Sequence, residues 1–148
     1  MINIESTFTY SKDLIERAVH ATLKHEAQSL DSDLTIVLTD DVQLRELNRD
    51  YLGIDEPTDV LSFPASESDP ETGVRYLGDI LISMPYATRS AEKAGHGLES
   101  EVQLLVVHGV LHLLGHDHAE ADEKARMWKA QSEILGSLGL GDIKIREE

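Results

Sequence analysis

Residues 108–118, HGVLHLLGHDH, hold four of the chain's seven histidines and lie in its most apolar segment. A buried imidazole needs a partner for each ring nitrogen, and four of them in one short segment are hard to satisfy with backbone groups alone. A divalent metal ion accounts for the crowding, because neutral imidazole is a common metal ligand. The segment therefore predicts a metal site, with core histidines bonded to the backbone as the alternative.

The spacing of three of these histidines fits a single ion. An α-helix has about 3.6 residues per turn, so His108 and His112 lie one above the other on the same face. His118 can join them only if the helix ends in between, and Gly115 stands where a left-handed residue would end it. Three neutral imidazoles on a divalent ion leave an open position and lower the pKa of a bound water to about 7. We predict that His108, His112 and His118 are both the metal ligands and the catalytic residues.

The same spacing occurs in the metzincin proteases, whose pattern is H-E-x-x-H-x-x-G-x-x-H. The chain matches this pattern except that Gly109 replaces the glutamate that acts as general base. The pattern therefore favours hydrolysis but not proteolysis. A structural site closed by His116 is the alternative, although we expect His116 to point outwards and Asp117 to cap the turn or support a ligand. Isolated surface positions are predicted for the other histidines, which are His20, His25 and His96.

Together with two further blocks, this segment resembles the YbeY family of bacterial endoribonucleases of ribosomal RNA maturation. The further blocks are ELNRDYLGIDEPTDVLSFP, residues 46–64, and LGDILIS, residues 77–83. The resemblance implies a compact α/β fold and one zinc-like ion on His108, His112 and His118. It also implies single-strand-specific RNA cleavage, maturation of the 3′ end of small-subunit rRNA and a part in ribosome quality control. The partners that it implies are precursor small-subunit rRNA, the ribosome or small-subunit proteins, and an Era-like GTPase.

Two positions depart from the pattern of that family. The family usually has a tyrosine where this chain has His116, and commonly an arginine where it has Leu52. A guanidinium at the second position would bind the scissile phosphate and stabilise its developing charge, and a leucine can do neither. Arg49 or Arg75 would have to bind the phosphate instead. The sequence does not show that either reaches the site, so no arginine is assigned to it.

Three residues of the two further blocks have a predicted role near the site. Ser62 and Phe63 end a strand, where a hydroxyl and a ring could contact RNA, and a core position for Phe63 is the alternative. Asp79 is a candidate hydrogen-bond partner for a ligating histidine, in which case Asp79→Asn would lower the metal affinity.

The composition limits the partners. The chain has 148 residues, no cysteine and a formal net charge of −15, from 13 basic and 28 acidic residues. Any metal site must use nitrogen and oxygen ligands. RNA as a substrate needs a local basic patch, a metal or a partner that delivers it, because phosphate contacts require cations. The N-terminus has no secretory pattern, and no apolar run reaches the roughly 20 residues that span a bilayer. We therefore expect a cytoplasmic protein with no membrane partner.

The positions of the apolar residues predict the elements that carry this site. Strands are predicted at 2–4, 34–38, 60–63 and 77–84, the first at a sheet edge. Helices are predicted from Ser11 to about 27, from Asp40 or Asp41, and at 85–94, 98–114 and 122–138. The second of them has the predicted inner face Leu44, Leu47 and Tyr51. The 98–114 helix is apolar on nearly every face, which indicates a central buried helix that carries the metal histidines. We predict one domain over 1–148 of the α/β (α+β) class, in which about five helices cover a small mixed sheet.

A metal-dependent endoribonuclease is the predicted function, with zinc as the expected ion. Two rivals stay open. The first is a non-enzymatic ribosome assembly factor with a structural metal, which Leu52 and the negative charge favour. The second is a metallopeptidase, which Gly109 opposes and which hydrolysis of casein would reveal.

Overall fold

A computed structural model describes residues 1–143 of the chain, so the end of the predicted domain lies outside the described residues. Its elements in chain order are β1 (Ile2–Ser6), α1 (Lys12–His25), β2 (Asp33–Thr39), α2 (Asp41–Leu52), β3 (Val60–Pro64), β4 (Tyr76–Ser83), α3 (Met84–Ala94), α4 (Leu98–Leu113) and α5 (Ala121–Ser137). Each agrees with a predicted element to within a few residues. The prediction of a small sheet with five helices is confirmed.

The four strands form one mixed sheet. Its order is β1–β2–β4–β3, with β1, β2 and β4 parallel and β3 antiparallel to β4. Parallel neighbours need long connections, and these contain α1 between β1 and β2, and α2 between β2 and β4. β1 lies at one edge, as predicted, and β3 lies at the other.

Side-chain caps fix where the first two helices begin. The side chain of Ser11 accepts a hydrogen bond from the backbone N–H of Leu14, as predicted for the start of α1. Asp40 caps α2 in the same way, which decides between the two predicted aspartates. Asp41 instead accepts a hydrogen bond from the hydroxyl of Ser83 and so ties α2 to the end of β4.

Helix α4 lies at the centre of the buried apolar cluster and packs against β3, β4, α1, α3 and α5. It is buried on almost every face, as predicted. It approaches the sheet at Gly109, where a Cβ would lie 2.8 Å from Cγ2 of Ile80. Although α4 is apolar, neither it nor any other helix among residues 1–143 is long and apolar enough to cross a membrane.

The predicted inner face of α2 is wrong at Tyr51, which is 67% exposed. Leu44 is buried, and the next buried position, one turn further on, belongs to Asn48. Asn48 donates from Nδ2 to the backbone carbonyl of Glu56 at 2.9 Å and so holds the loop after α2. The ring of Tyr51 lies edge-on against Phe63, with ring centroids 5.2 Å apart.

Candidate metal centre

The end of α4 brings three histidines together. His108 and His112 lie one turn apart on α4, which ends at the residue after His112. Gly115 then takes a positive φ of 99° and donates from its backbone N–H to the carbonyl of His112 at 3.0 Å. Glycine adopts this left-handed conformation without a steric penalty, so the helix ends here and the chain turns. The turn returns His118 to the two helical histidines.

The donor atoms of the three rings converge on one point. Nε2 of His108 and Nε2 of His112 are 3.1 Å apart, and one ring nitrogen from each of the three residues lies within 4.8 Å of the others. Zinc–nitrogen bonds of about 2.0–2.1 Å in a tetrahedral site place two donor atoms about 3.3 Å apart. The cluster therefore fits one metal ion, and its rings are partly rather than fully buried, so an ion can reach them.

Burial keeps two of these histidines neutral. Burial lowers the pKa of both His108 and His112 from 6.5 to about 4, with smaller contributions from the neighbouring rings, which are His118 for His108, and His108 and then His118 for His112. The hydrogen bond from His108 to Gln131 acts in the opposite direction but does not cancel the effect of burial. At pH 7 both rings are therefore neutral imidazoles, the form in which histidine binds a metal.

Helix α5 forms one wall of the site. Oε1 of Gln131 lies 2.8 Å from Nδ1 of His108. The ring centroid of Trp128 lies 6.1 Å from that of His108 and 5.8 Å from that of His118. Neither Gln131 nor Trp128 is among the predicted site residues. The available signal for Gln131 is a glutamine within the otherwise apolar buried stripe of α5.

Comparison with known proteins shows the family of the chain. The family model of endoribonuclease YbeY matches residues 2–139. The chain belongs to the YbeY family. The endoribonuclease YbeY of Shouchella clausii is 44% identical, in an alignment that covers 95% of this chain and 94% of the relative. That of Pelotomaculum thermopropionicum is 43% identical over 130 residues, which cover 86% of each chain.

The fold of this chain is also seen in a solved structure. The solution structure of a protein from Thermotoga maritima superposes with a TM-score of 0.59 at 24% identity, covering 100% of this chain and 99% of that one. The likeness extends over the whole fold. The predicted resemblance to the YbeY family and the predicted fold class are both confirmed.

The two departures from the YbeY pattern lie outside the three-histidine cluster. Nε2 of His116 bonds to Oε1 of Glu26 at the end of α1, so this ring does not join the ligand group. Leu52 is the last residue of α2 and is 62% exposed. Arg49, one of the two arginines considered in its place, directs Nε to Oδ1 of Asp50 at 3.1 Å.

Asp79 of the second YbeY block does not contact the histidines. Ile80 faces α4, so the alternation of side chains along β4 sends Asp79 to the opposite face of the sheet. There it accepts a hydrogen bond from the hydroxyl of Tyr76. The side chain that bonds to a ring of the cluster is Gln131, which bonds to His108.

The other predicted polar residues of the site have local roles. Oδ1 of Asp117 accepts a hydrogen bond from the backbone N–H of the next residue at 2.7 Å, which agrees with its predicted part in the turn. Oγ of Ser62 donates to the carbonyl of Gly109 at 3.3 Å and so links β3 to α4. Phe63 packs against Tyr51. Contact with RNA stays a prediction for Ser62 and Phe63.

Two of the histidines that were expected to be isolated have carboxylate partners. Nε2 of His96 lies 2.6 Å from Oε1 of Glu101, a fully buried side chain of α4. Nδ1 of His25 lies 2.7 Å from Oε2 of Glu26. His20 is exposed, as predicted. The prediction fails for His96 because its ring bonds to Glu101 of α4, and the sequence pattern does not show that this carboxylate is buried beside it.

Proposed function

We propose that this member of the YbeY family is a metal-dependent endoribonuclease that cleaves single-stranded RNA at the centre formed by His108, His112 and His118. The observation that carries the proposal is the convergence of three imidazole donors, two of which are neutral at pH 7. Such a set fits zinc, because catalytic zinc sites usually have three protein ligands. The names of the relatives support RNA as the substrate.

Two features favour a set of three ligands, namely the neutral form of His108 and His112 and the engagement of His116 elsewhere. A bound divalent ion would supply Lewis acidity and an activated water for attack on the phosphodiester. Glu26 engages the ring of His116, so this fourth nearby histidine does not close the site. Trp128 lies against His108 and His118 and limits access from the side of α5.

Precursor small-subunit rRNA near its 3′ end is the proposed substrate, and the cytoplasm is the proposed location. The net charge of −15 opposes binding of free RNA, because the phosphate backbone is repelled by an acidic surface. The substrate is therefore best presented by a partner that supplies the positive contacts. We propose the ribosome, through its small-subunit proteins, and an Era-like GTPase for this part.

A ribosome assembly factor with a structural metal is the second candidate. Leu52, exposed where the family commonly has an arginine, and the net charge of −15 both favour it. A metallopeptidase finds no support in the site. Position 109, where metzincins have the catalytic glutamate, faces Ile80, and a Cβ there would already lie 2.8 Å from that side chain.

The test is cleavage of precursor small-subunit RNA, free and within the ribosomal particle. Wild type, His112→Ala and His20→Ala are purified identically, so a contaminating nuclease would appear in all three. His20 is exposed and lies outside the cluster, which makes it a matched control. We expect cleavage by wild type and His20→Ala and only background cleavage by His112→Ala. Equal cleavage by all three, or by none in either setting, would favour the assembly factor.

A further inference from the structure

Gln131 on α5 is a fully buried glutamine that makes one side-chain hydrogen bond within residues 1–143. Its Oε1 lies 2.8 Å from Nδ1 of His108, whereas its Nε2 is buried and has no partner in that range. A buried donor left without a partner costs about 1–3 kcal/mol. A methionine of similar size would fill the position without that cost, so packing alone does not account for a glutamine here.

The bond to Gln131 decides which nitrogen of His108 carries the ring proton. With Oε1 of Gln131 facing the ring, Nδ1 of His108 is the donor, because an amide oxygen only accepts. With the proton on Nδ1, the lone pair is on Nε2, which lies 3.1 Å from Nε2 of His112. This is the nitrogen that an ion between the two rings requires.

We infer that Gln131 is a positioning residue for the metal centre, which holds His108 in the Nδ1–H form and fixes the plane of its ring. The inference rests on the proposed function. Without an acceptor at position 131, the ring proton of His108 can move to Nε2. That nitrogen then has no lone pair for an ion until the proton returns to Nδ1. Partners of metal-binding histidines typically contribute about 10–100-fold to metal affinity.

Two substitutions and a matched control separate positioning from packing. Gln131→Met removes the acceptor at similar volume, and Gln131→Glu retains an acceptor. Gln103→Met makes the same change at a second buried glutamine, which lies on α4. Competition with a chromophoric chelator measures the Zn²⁺ affinity of each full-length protein, and the Co²⁺ absorption spectrum reports the ligand geometry. Thermal unfolding of the metal-free proteins reports packing.

We expect Gln131→Met to weaken Zn²⁺ binding by about 10–100-fold and to change the Co²⁺ spectrum. Gln131→Glu is expected to restore both, and Gln103→Met to match wild type. An unchanged affinity in Gln131→Met, an equal loss in Gln103→Met or a loss that glutamate does not rescue would overturn the inference. If wild type binds neither ion, the proposed metal site fails as well, whereas tight binding by wild type and Gln131→Met alike removes only the role of Gln131.

A second measurement needs no substitution. Long-range ¹H–¹⁵N correlation spectra of the metal-free wild-type protein show which ring nitrogen of each histidine is protonated. We expect the proton of His108 on Nδ1. A proton on Nε2 would contradict the inference even if Gln131→Met failed to fold.

Discussion

Replacement of Gly109 by alanine tests how closely α4 lies on the sheet. The new Cβ would lie 2.8, 3.0 and 3.2 Å from Cγ2, Cδ1 and Cγ1 of Ile80. Ile80 is fully buried, so its side chain cannot avoid the new Cβ by turning towards solvent. Overpacking of a core costs about 1–3 kcal/mol, and the better helix propensity of alanine offsets about 1 kcal/mol of this. We expect Gly109→Ala to lower the free energy of unfolding by up to about 2 kcal/mol.

Gly136→Ala is the matched control, because Gly136 also lies within a helix but nothing approaches its Cβ position within 4 Å. We expect this variant to gain about 0.5–1 kcal/mol. Urea unfolding at neutral pH measures both free energies, and Gly109→Ala should be the less stable of the two variants by about 0.5–3 kcal/mol. If Gly109→Ala were as stable as Gly136→Ala, α4 would not lie on Ile80 as described. The claim that position 109 has no room for a catalytic glutamate would then fail.

The histidine cluster leads to three further expectations. The metal-free protein should lose stability as the pH falls from about 6.5 towards 4. In this range His108 and His112 bind protons in the unfolded state but not in the folded state. Their two protons change the free energy of unfolding by at most about 2.7 kcal/mol per pH unit. Urea unfolding at several pH values measures this slope, and the same slope in wild type and His112→Phe would contradict it. His116→Ala should keep one zinc per chain by elemental analysis, because Glu26 holds that ring outside the ligand group, and loss of the zinc would make His116 a ligand. Free Zn²⁺ at 100 times its Kd should raise the free energy of unfolding by about 2.7 kcal/mol, and an equal gain in His112→Ala would place the ion elsewhere.

The histidine cluster could be predicted from the sequence because its geometry is local. His108 and His112 are related by one helical turn, and Gly115 provides the turn that returns His118. Gln131 could not be predicted in the same way. It lies 23 positions after His108 on another helix, so its contact depends on how α5 packs against α4.

The errors at Asp79 and Tyr51 have a common cause, which is that a sequence pattern does not show what each side chain of a strand or helix faces. Strand β4 is buried on both faces, so its sequence has no polar alternation to show which residues face α4. The apolar spacing of α2 continues to Tyr51, but the last turn of that helix extends beyond the core. The environment of both side chains therefore depends on tertiary packing, which the sequence pattern does not show.

The most direct test of the central claim is a zinc add-back titration of RNA cleavage. A chelator first removes metal from the wild-type protein, Zn²⁺ is then returned in steps, and cleavage of precursor small-subunit RNA within the ribosomal particle is measured at each step. We expect cleavage to disappear with the metal, to rise in proportion to added zinc and to level off at one equivalent per chain, with no recovery in His108→Ala. Full cleavage by the metal-free protein, or recovery in His108→Ala equal to that of wild type, would contradict a catalytic ion on the three histidines.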